Sequence, residues 1–254
     1  MKQELTAVSK RQQFSYHFSS LMWNVLDWIF PPDCPGCGKQ GERFCEKCKN
    51  FVQPLTDPLC PVCGEPGKSN AVCDDCLSYP PGFDALRAYA VFDGPVRNAL
   101  HRLKYRDDIS QGDVLSKFLF DLYSCLNWQI DLVTAIPLSK ERLRSRGYNQ
   151  AERIARPFAF RINKPFYANA VERIKNTNSQ IDLSLFERRE NVSGAFYANS
   201  MVVNLKSVII IDDVSTTGST ISECARALKE AGAEKVYALT VARAPLKGNN
   251  TRSG

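Results

Sequence analysis

Asp212 and Asp213 stand in succession after an apolar run, Val208-Ile209-Ile210-Ile211. Beyond Val214 come Ser215, Thr216, Thr217, Gly218, Ser219 and Thr220. Two adjacent carboxylates repel one another, and burying them without partners is costly. A ligand that offers hydroxyl donors, or a divalent cation, relieves both problems. A hydroxyl-rich turn that opens a helix can aim amides, hydroxyls and the positive end of the helix dipole at an anion. Gly218 admits close approach of a ligand to the backbone. A ribose 5-phosphate unit carries vicinal hydroxyls about one sugar's length from its phosphate, which matches acids placed just upstream of an anion cradle. The turn is not GxxxxGK[ST], and no GxGxxG follows a strand, so neither a P-loop nor a dinucleotide fingerprint is present.

The second chemical constellation is thiol-based. Of ten cysteines, eight form four CxxC pairs: Cys34/Cys37, Cys45/Cys48, Cys60/Cys63 and Cys73/Cys76. No convincing export signal precedes them, so disulfides are disfavoured. Four closely spaced pairs are also not how a single redox-active CxxC is written. Two thiolates two residues apart can grip one ion from a tight turn, and two such turns complete the tetrahedral shell of zinc. Sequential pairing and an interleaved cross-brace use the same cysteines, and spacing does not choose between them. All-thiolate shells leave no place for water, so the metal is structural and supplies folding free energy to a segment with little core. The charges of this segment nearly balance, which favours a cap on a larger domain over a grip on a phosphate backbone. Cys125 and Cys224 sit in apolar helical patterns and read as small core residues.

The elements that must position these groups follow from hydrophobic periodicity. Within residues 1–31 an amphipathic helix of roughly four turns is expected, carrying Phe18, Leu21, Met22, Val25, Leu26 and Ile29 on one face and too polar to span a bilayer. The double ribbon occupies 32–80, and Pro80-Pro81-Gly82 marks a boundary. Beyond it, strands are expected at 87–92, 131–137, 207–214 and 235–243. Helices are expected at 95–105, 112–126, 149–161 and 219–231. Continuous apolar strands alternating with amphipathic helices mean an open, mostly parallel α/β sheet with helices on both faces over 81–246. A flexible tail covers 247–254. In such sheets, ligands bind at the carboxyl ends of the strands, where the acid couplet and hydroxyl turn fall. A net charge of +6 permits a phosphate-bearing or nucleic-acid partner without requiring one. Cytoplasmic location is expected.

"IIIDDVSTTGST" resembles the phosphoribosyl diphosphate (PRPP) motif of type I phosphoribosyltransferases. The whole chain is similar to the ComF family, which includes competence-associated and DNA-utilisation proteins. "LKYRDD" (103–108), "AIPLSKERLRSRGYNQAERIAR" (135–156) and "RIKNTNSQIDLSLFERRENVSGAF" (173–196) carry that likeness together with the cysteines. The resemblance implies a type I phosphoribosyltransferase-like fold behind a zinc ribbon. It also implies that Asp212 and Asp213 hold ribose hydroxyls, directly or through Mg²⁺, while Ser215 to Thr220 hold the 5-phosphate. Pro137, Leu138, Ser139 and Lys140 become a pyrophosphate loop, supported by the cations Lys140, Arg142, Arg144 and Arg146. Lys175, Arg188 and Arg189 flank a segment expected to close over the ligand. Two function classes fit: a PRPP-binding protein of DNA uptake that handles single-stranded DNA, or a Mg²⁺-dependent phosphoribosyltransferase or PRPP hydrolase. With only His17 and His101 in the chain, no histidine acid–base role is assigned, and no catalytic residue is named.

Overall fold

The computed structural model describes residues 31–175 and 193–244. The expected N-terminal helix, Arg188, Arg189 and the tail lie outside these residues. No helix among the described residues is long and apolar enough to cross a membrane.

Four parallel strands form the central sheet in the order β1-β6-β5-β2: β1 Ala85–Val91, β2 Leu132–Ala135, β5 Ser207–Ser215 and β6 Lys235–Arg243. The reason for a two-sided sheet is visible in β5. Ile209 and Ile211 belong to one buried cluster, Val208 and Ile210 to the other, and all four are fully buried. Period-two alternation thus places β-branched side chains in both layers, as a central strand requires.

One layer holds α3 Gly94–Tyr105, α4 Gln111–Ser124 and α6 Gln150–Arg161, whose Leu100, Leu119 and Phe158 pack together. The other holds α8 Ser219–Glu230 and a short antiparallel hairpin, β3 Val171–Arg173 with β4 Phe196–Ala198. The one-turn helices α1 Glu46–Lys49 and α2 Asp74–Ser78 belong to the cysteine modules. Polar α5 Lys140–Arg146 and short α7 Ser200–Val203 complete the elements. The α5 segment carries a single apolar residue, Leu143, which is exposed, so it has no hydrophobic period to read.

Both sheet edges are covered, as open edges must be. At β1, the Leu55 amide donates to the Tyr89 carbonyl at 3.0 Å and the Val91 amide to Gln53 at 2.9 Å. At β2, the Val133 amide donates to Pro165 at 2.9 Å. The double ribbon is therefore stitched to the larger domain through backbone hydrogen bonds. Cys224 is buried as expected, but Cys125 is exposed, because α4 ends at Ser124 and Cys125 lies beyond its apolar face.

Candidate functional site: acid couplet, hydroxyl turn and two four-cysteine clusters

The acid couplet occupies the carboxyl end of β5, and the two carboxylates have different surroundings. Asp213 is 4% exposed and ion-paired with Lys104 from α3. Burial opposes its ionisation, but the Lys104 ammonium, helped by hydrogen bonds from Asp212 and Gln150, holds its carboxyl below the usual range. Lys104 is itself held charged by Asp213 despite its burial. Asp212 keeps part of its surface exposed and accepts the Asp213 amide at 2.8 Å. Desolvation, followed by the charge of Asp213, raises its carboxyl well above the ordinary value. Burial, followed by the charge of Arg142, lowers the pKa of half-buried Arg173, and the charge of Asp212 only partly offsets this. The repulsion implied by two adjacent aspartates is thus relieved by a built-in lysine on one side.

Lys104 is a residue that sequence reasoning missed. It lies within the quoted "LKYRDD", between buried Leu103 and exposed Tyr105, and a lysine there reads as an ordinary helix-surface residue. Its significance depends on a partner far along the chain.

The RGYNQ stretch joins three elements around Asp213. Gly147 closes α5 at φ +79°, a left-handed cap that glycine adopts without strain. Tyr148 donates its hydroxyl to the Leu103 carbonyl, at the end of α3. Asn149 caps α6 by accepting the Ala151 amide at 3.0 Å, and its Nδ2 donates to the Ile136 carbonyl at 2.9 Å, just past β2. Gln150 accepts from Arg146, whose guanidinium also lies 5.5 Å from the Tyr105 ring centroid. The basic run therefore divides. Lys140, Arg142 and Arg144 remain exposed, while Arg146 is committed to the network around Gln150.

The turn Pro137-Leu138-Ser139-Lys140 follows β2 beside β5. Ser139 is buried and its hydroxyl accepts the Arg142 amide at 3.3 Å as the α5 cap. In the β5–α8 turn, the hydroxyls of Thr217 and Ser219 bond each other at 2.7 Å. Gly218 opens α8 at φ +74°. A Cβ there would stand 3.4 Å from its nearest neighbour, so the position needs glycine for its backbone conformation rather than for space. Ser215 Oγ lies 3.3 Å from Thr240 Oγ1, inside the sheet. Lys175, two residues beyond β3, donates to the Ser193 carbonyl at 3.4 Å.

The cysteines resolve into sequential groups, Cys34/Cys37/Cys45/Cys48 and Cys60/Cys63/Cys73/Cys76, with the sulfurs of each within 4.8 Å of one another. The Sγ atoms of Cys37 and Cys45 are 3.6 Å apart, as are those of Cys63 and Cys73. Tetrahedral Zn–S bonds of about 2.3 Å place sulfurs roughly 3.8 Å apart, so both groups fit a structural zinc ion. The amide of Cys45 donates to Cys34 Sγ and that of Cys73 to Cys60 Sγ, each at 3.4 Å. Burial opposes thiolate formation at Cys34 and Cys60, but such amide donors outweigh it and bring each to about 6.

Comparison with known proteins finds two domain matches in the chain. Residues 25–77 match the double zinc ribbon domain and residues 143–252 the phosphoribosyl transferase domain. DNA utilization protein YhgH of Escherichia coli (strain K12) is 31% identical over 207 residues, covering 79% of this chain and 90% of that protein. Competence protein F of Haemophilus influenzae is 28% identical over 222 residues, covering 83% and 90%. Competence protein ComFC of Bacillus subtilis (strain 168) is 28% identical over 245 residues, covering 91% and 92%.

Proposed function

The chain belongs to the ComF family, with the competence and DNA utilization proteins it aligns with over most of its length, and from that premise we propose that it binds PRPP together with Mg²⁺ in the service of DNA uptake and utilisation. One observation carries the reading: an acid couplet whose members have been made unequal sits immediately before a left-handed Gly218 turn into α8.

In this reading Asp212 accepts the ribose hydroxyls. It is the partly exposed acid, and the Asp213 amide fixes its orientation. Asp213, neutralised by Lys104, positions the strand end and keeps the couplet's net charge near that of a single carboxylate. Thr216 to Thr220 hold the 5-phosphate with hydroxyls and amides at the α8 N-terminus, where the helix dipole favours an anion. Exposed Lys140, Arg142 and Arg144 lie on the neighbouring β2–α5 segment and suit the diphosphate. This donor set of carboxylate, hydroxyls and nearby cations suits Mg²⁺, which is held by hard oxygen ligands and substrate phosphates. When bound, Mg²⁺ supplies charge neutralisation on the diphosphate.

A thermal-shift series tests the proposal. A ligand that binds only the folded state stabilises it by RT ln(1 + [L]/Kd), so PRPP at about 100 times its Kd adds roughly 2.7 kcal/mol. PRPP with Mg²⁺ is expected to raise the midpoint, and ribose 5-phosphate to raise it less. Pyrophosphate released during incubation would mark turnover by a transferase or hydrolase. No shift with any phosphorylated pentose contradicts the proposal. A role in handling single-stranded DNA predicts binding that weakens steeply with salt and survives Asp212→Asn.

A further inference from the structure

The two four-cysteine clusters are chemically alike but are fastened to different parts of the molecule. The first is held by α3 and α4. Arg102 donates to the Asp33 carboxylate at 2.6 Å and to its carbonyl at 3.1 Å, while Phe44 meets Phe118 edge-on at 5.2 Å between centroids. None of these contacts involves the β5–α8 turn.

The second cluster is built into that turn's surroundings. Its knuckle rides on β1, where the Leu86 amide donates to the Val62 carbonyl at 2.8 Å. Gly64 has φ +69°, and a Cβ there would fall 2.6 Å from the Leu86 oxygen, so close approach and backbone conformation both demand glycine. Arg243, the last residue of β6, is 6% exposed. It donates Nη2 to the Cys63 carbonyl, and Nη1 both to Glu65 Oε2 at 2.6 Å and to the Thr216 carbonyl at 3.3 Å. A single buried guanidinium thus ties the backbone of a thiolate ligand to the hydroxyl turn.

A cavity of about 460 Å³ lies between the two. Cys63, Glu65, Cys73 and Cys76 line one side, and Thr216, Thr217, Gly218 and Ser219 the other. Neither Asp212 nor Asp213 lines it, whereas the hydroxyl turn does, so it adjoins the turn end of the site; the carboxylates Glu65, Asp75 and Glu223 line it too. Arg243 also lines it, and its buried Nε finds no acceptor among the described residues.

Resting on the PRPP reading above, we propose that the second four-cysteine module is a wall of the phosphate end of the site, and that Arg243 is a positioning residue that transmits metal occupancy at Cys60, Cys63, Cys73 and Cys76 to the phosphate turn. Among the described residues the first module has no such link. Metal at the second cluster fixes the Cys63–Glu65 backbone, which holds Arg243, which in turn orients the Thr216 carbonyl and the peptide units after it. Without metal the knuckle loosens, Arg243 loses the partners it has there, and the turn's donors lose their aim.

The experiment compares full-length zinc-loaded wild type with Arg243→Met, Arg243→Lys, Cys73→Ser and Cys37→Ser, measuring zinc content throughout. Hydrogen exchange at amides 216–220 is read without ligand, and PRPP affinity is read with Mg²⁺. Cys73→Ser and Arg243→Met are expected to speed exchange in the turn and weaken affinity about tenfold, equivalent to about 1.4 kcal/mol. Arg243→Lys recovers part of the loss as a point charge without the planar fork. Cys37→Ser loses zinc from the first cluster but leaves turn exchange unchanged. Equal effects of the two cysteine variants, or unchanged turn exchange in zinc-retaining Arg243→Met, would overturn the proposal. Should Cys73→Ser fail to fold, the Arg243 pair decides. Should wild type bind no PRPP, the exchange arm still decides, which separates loss of the coupling from loss of the ligand assignment.

Discussion

Lys104 and Asp213 form an ion pair inside the protein, with 20% and 6% of their side chains exposed. The pair joins helix α3 to the end of β5 and makes the two aspartates unequal. Removing one partner of a buried pair leaves an uncompensated charge, at a cost of about 3–5 kcal/mol. Lys104→Met is expected to lose stability in that range in urea unfolding. The double variant Lys104→Met/Asp213→Asn should recover most of it, since no charge is then stranded. A single-variant loss below about 1 kcal/mol would mean that the pair is solvated.

The same pair sets an alkaline limit. The folded-state pKa of Lys104 is raised, so its contribution is complete below the unfolded value of about 10.4 and is lost as pH rises through the folded value. The stability difference between wild type and Lys104→Met should therefore be flat from about pH 7 to 10 and shrink above it. Shrinkage already near neutral pH would contradict a raised value.

Asn149 performs two backbone tasks, one at α6 and one at the Ile136 carbonyl. Asn149→Ala removes both, at about 1 kcal/mol for the cap and about 1–3 kcal/mol for the orphaned group. Asn149→Asp keeps the cap and loses only the donor, so its cost in equilibrium unfolding should be intermediate. Identical costs would show that the α6 cap contributes nothing.

At Gly218, conformation rather than space is limiting. Gly218→Ala should cost about 1–2 kcal/mol from left-handed backbone strain, and Gly218→Asn less. A fully tolerated alanine would imply that the turn relaxes.

What the sequence made legible follows from how local each signal is. Four aliphatics ahead of two acids mark β5 without knowledge of its neighbours. Four CxxC pairs likewise announce zinc. The pairing of those cysteines was not legible, because both arrangements share one spacing; the fold chose sequential clusters. The roles of Lys104 and Arg243 were hidden for a different reason. Each lies in an otherwise ordinary helix or strand, and each acquires its meaning from partners supplied by another element: Asp213 for one, Cys63, Glu65 and Thr216 for the other. The α5 helix and the β3–β4 hairpin escaped because one carries a single apolar residue and the strands of the other span three residues each.

Calorimetric titration of PRPP with Mg²⁺ into the zinc-loaded protein, repeated on Asp212→Asn, tests the central claim most directly. Saturable one-site binding by wild type is expected, weakened at least about tenfold in the variant as one of the two carboxyl oxygens that accept the ribose hydroxyls is replaced by a donor. Heats that stay at the level of dilution for wild type, or an affinity unchanged by Asp212→Asn, would contradict the claim that this acid and its adjoining turn recognise a phosphorylated pentose.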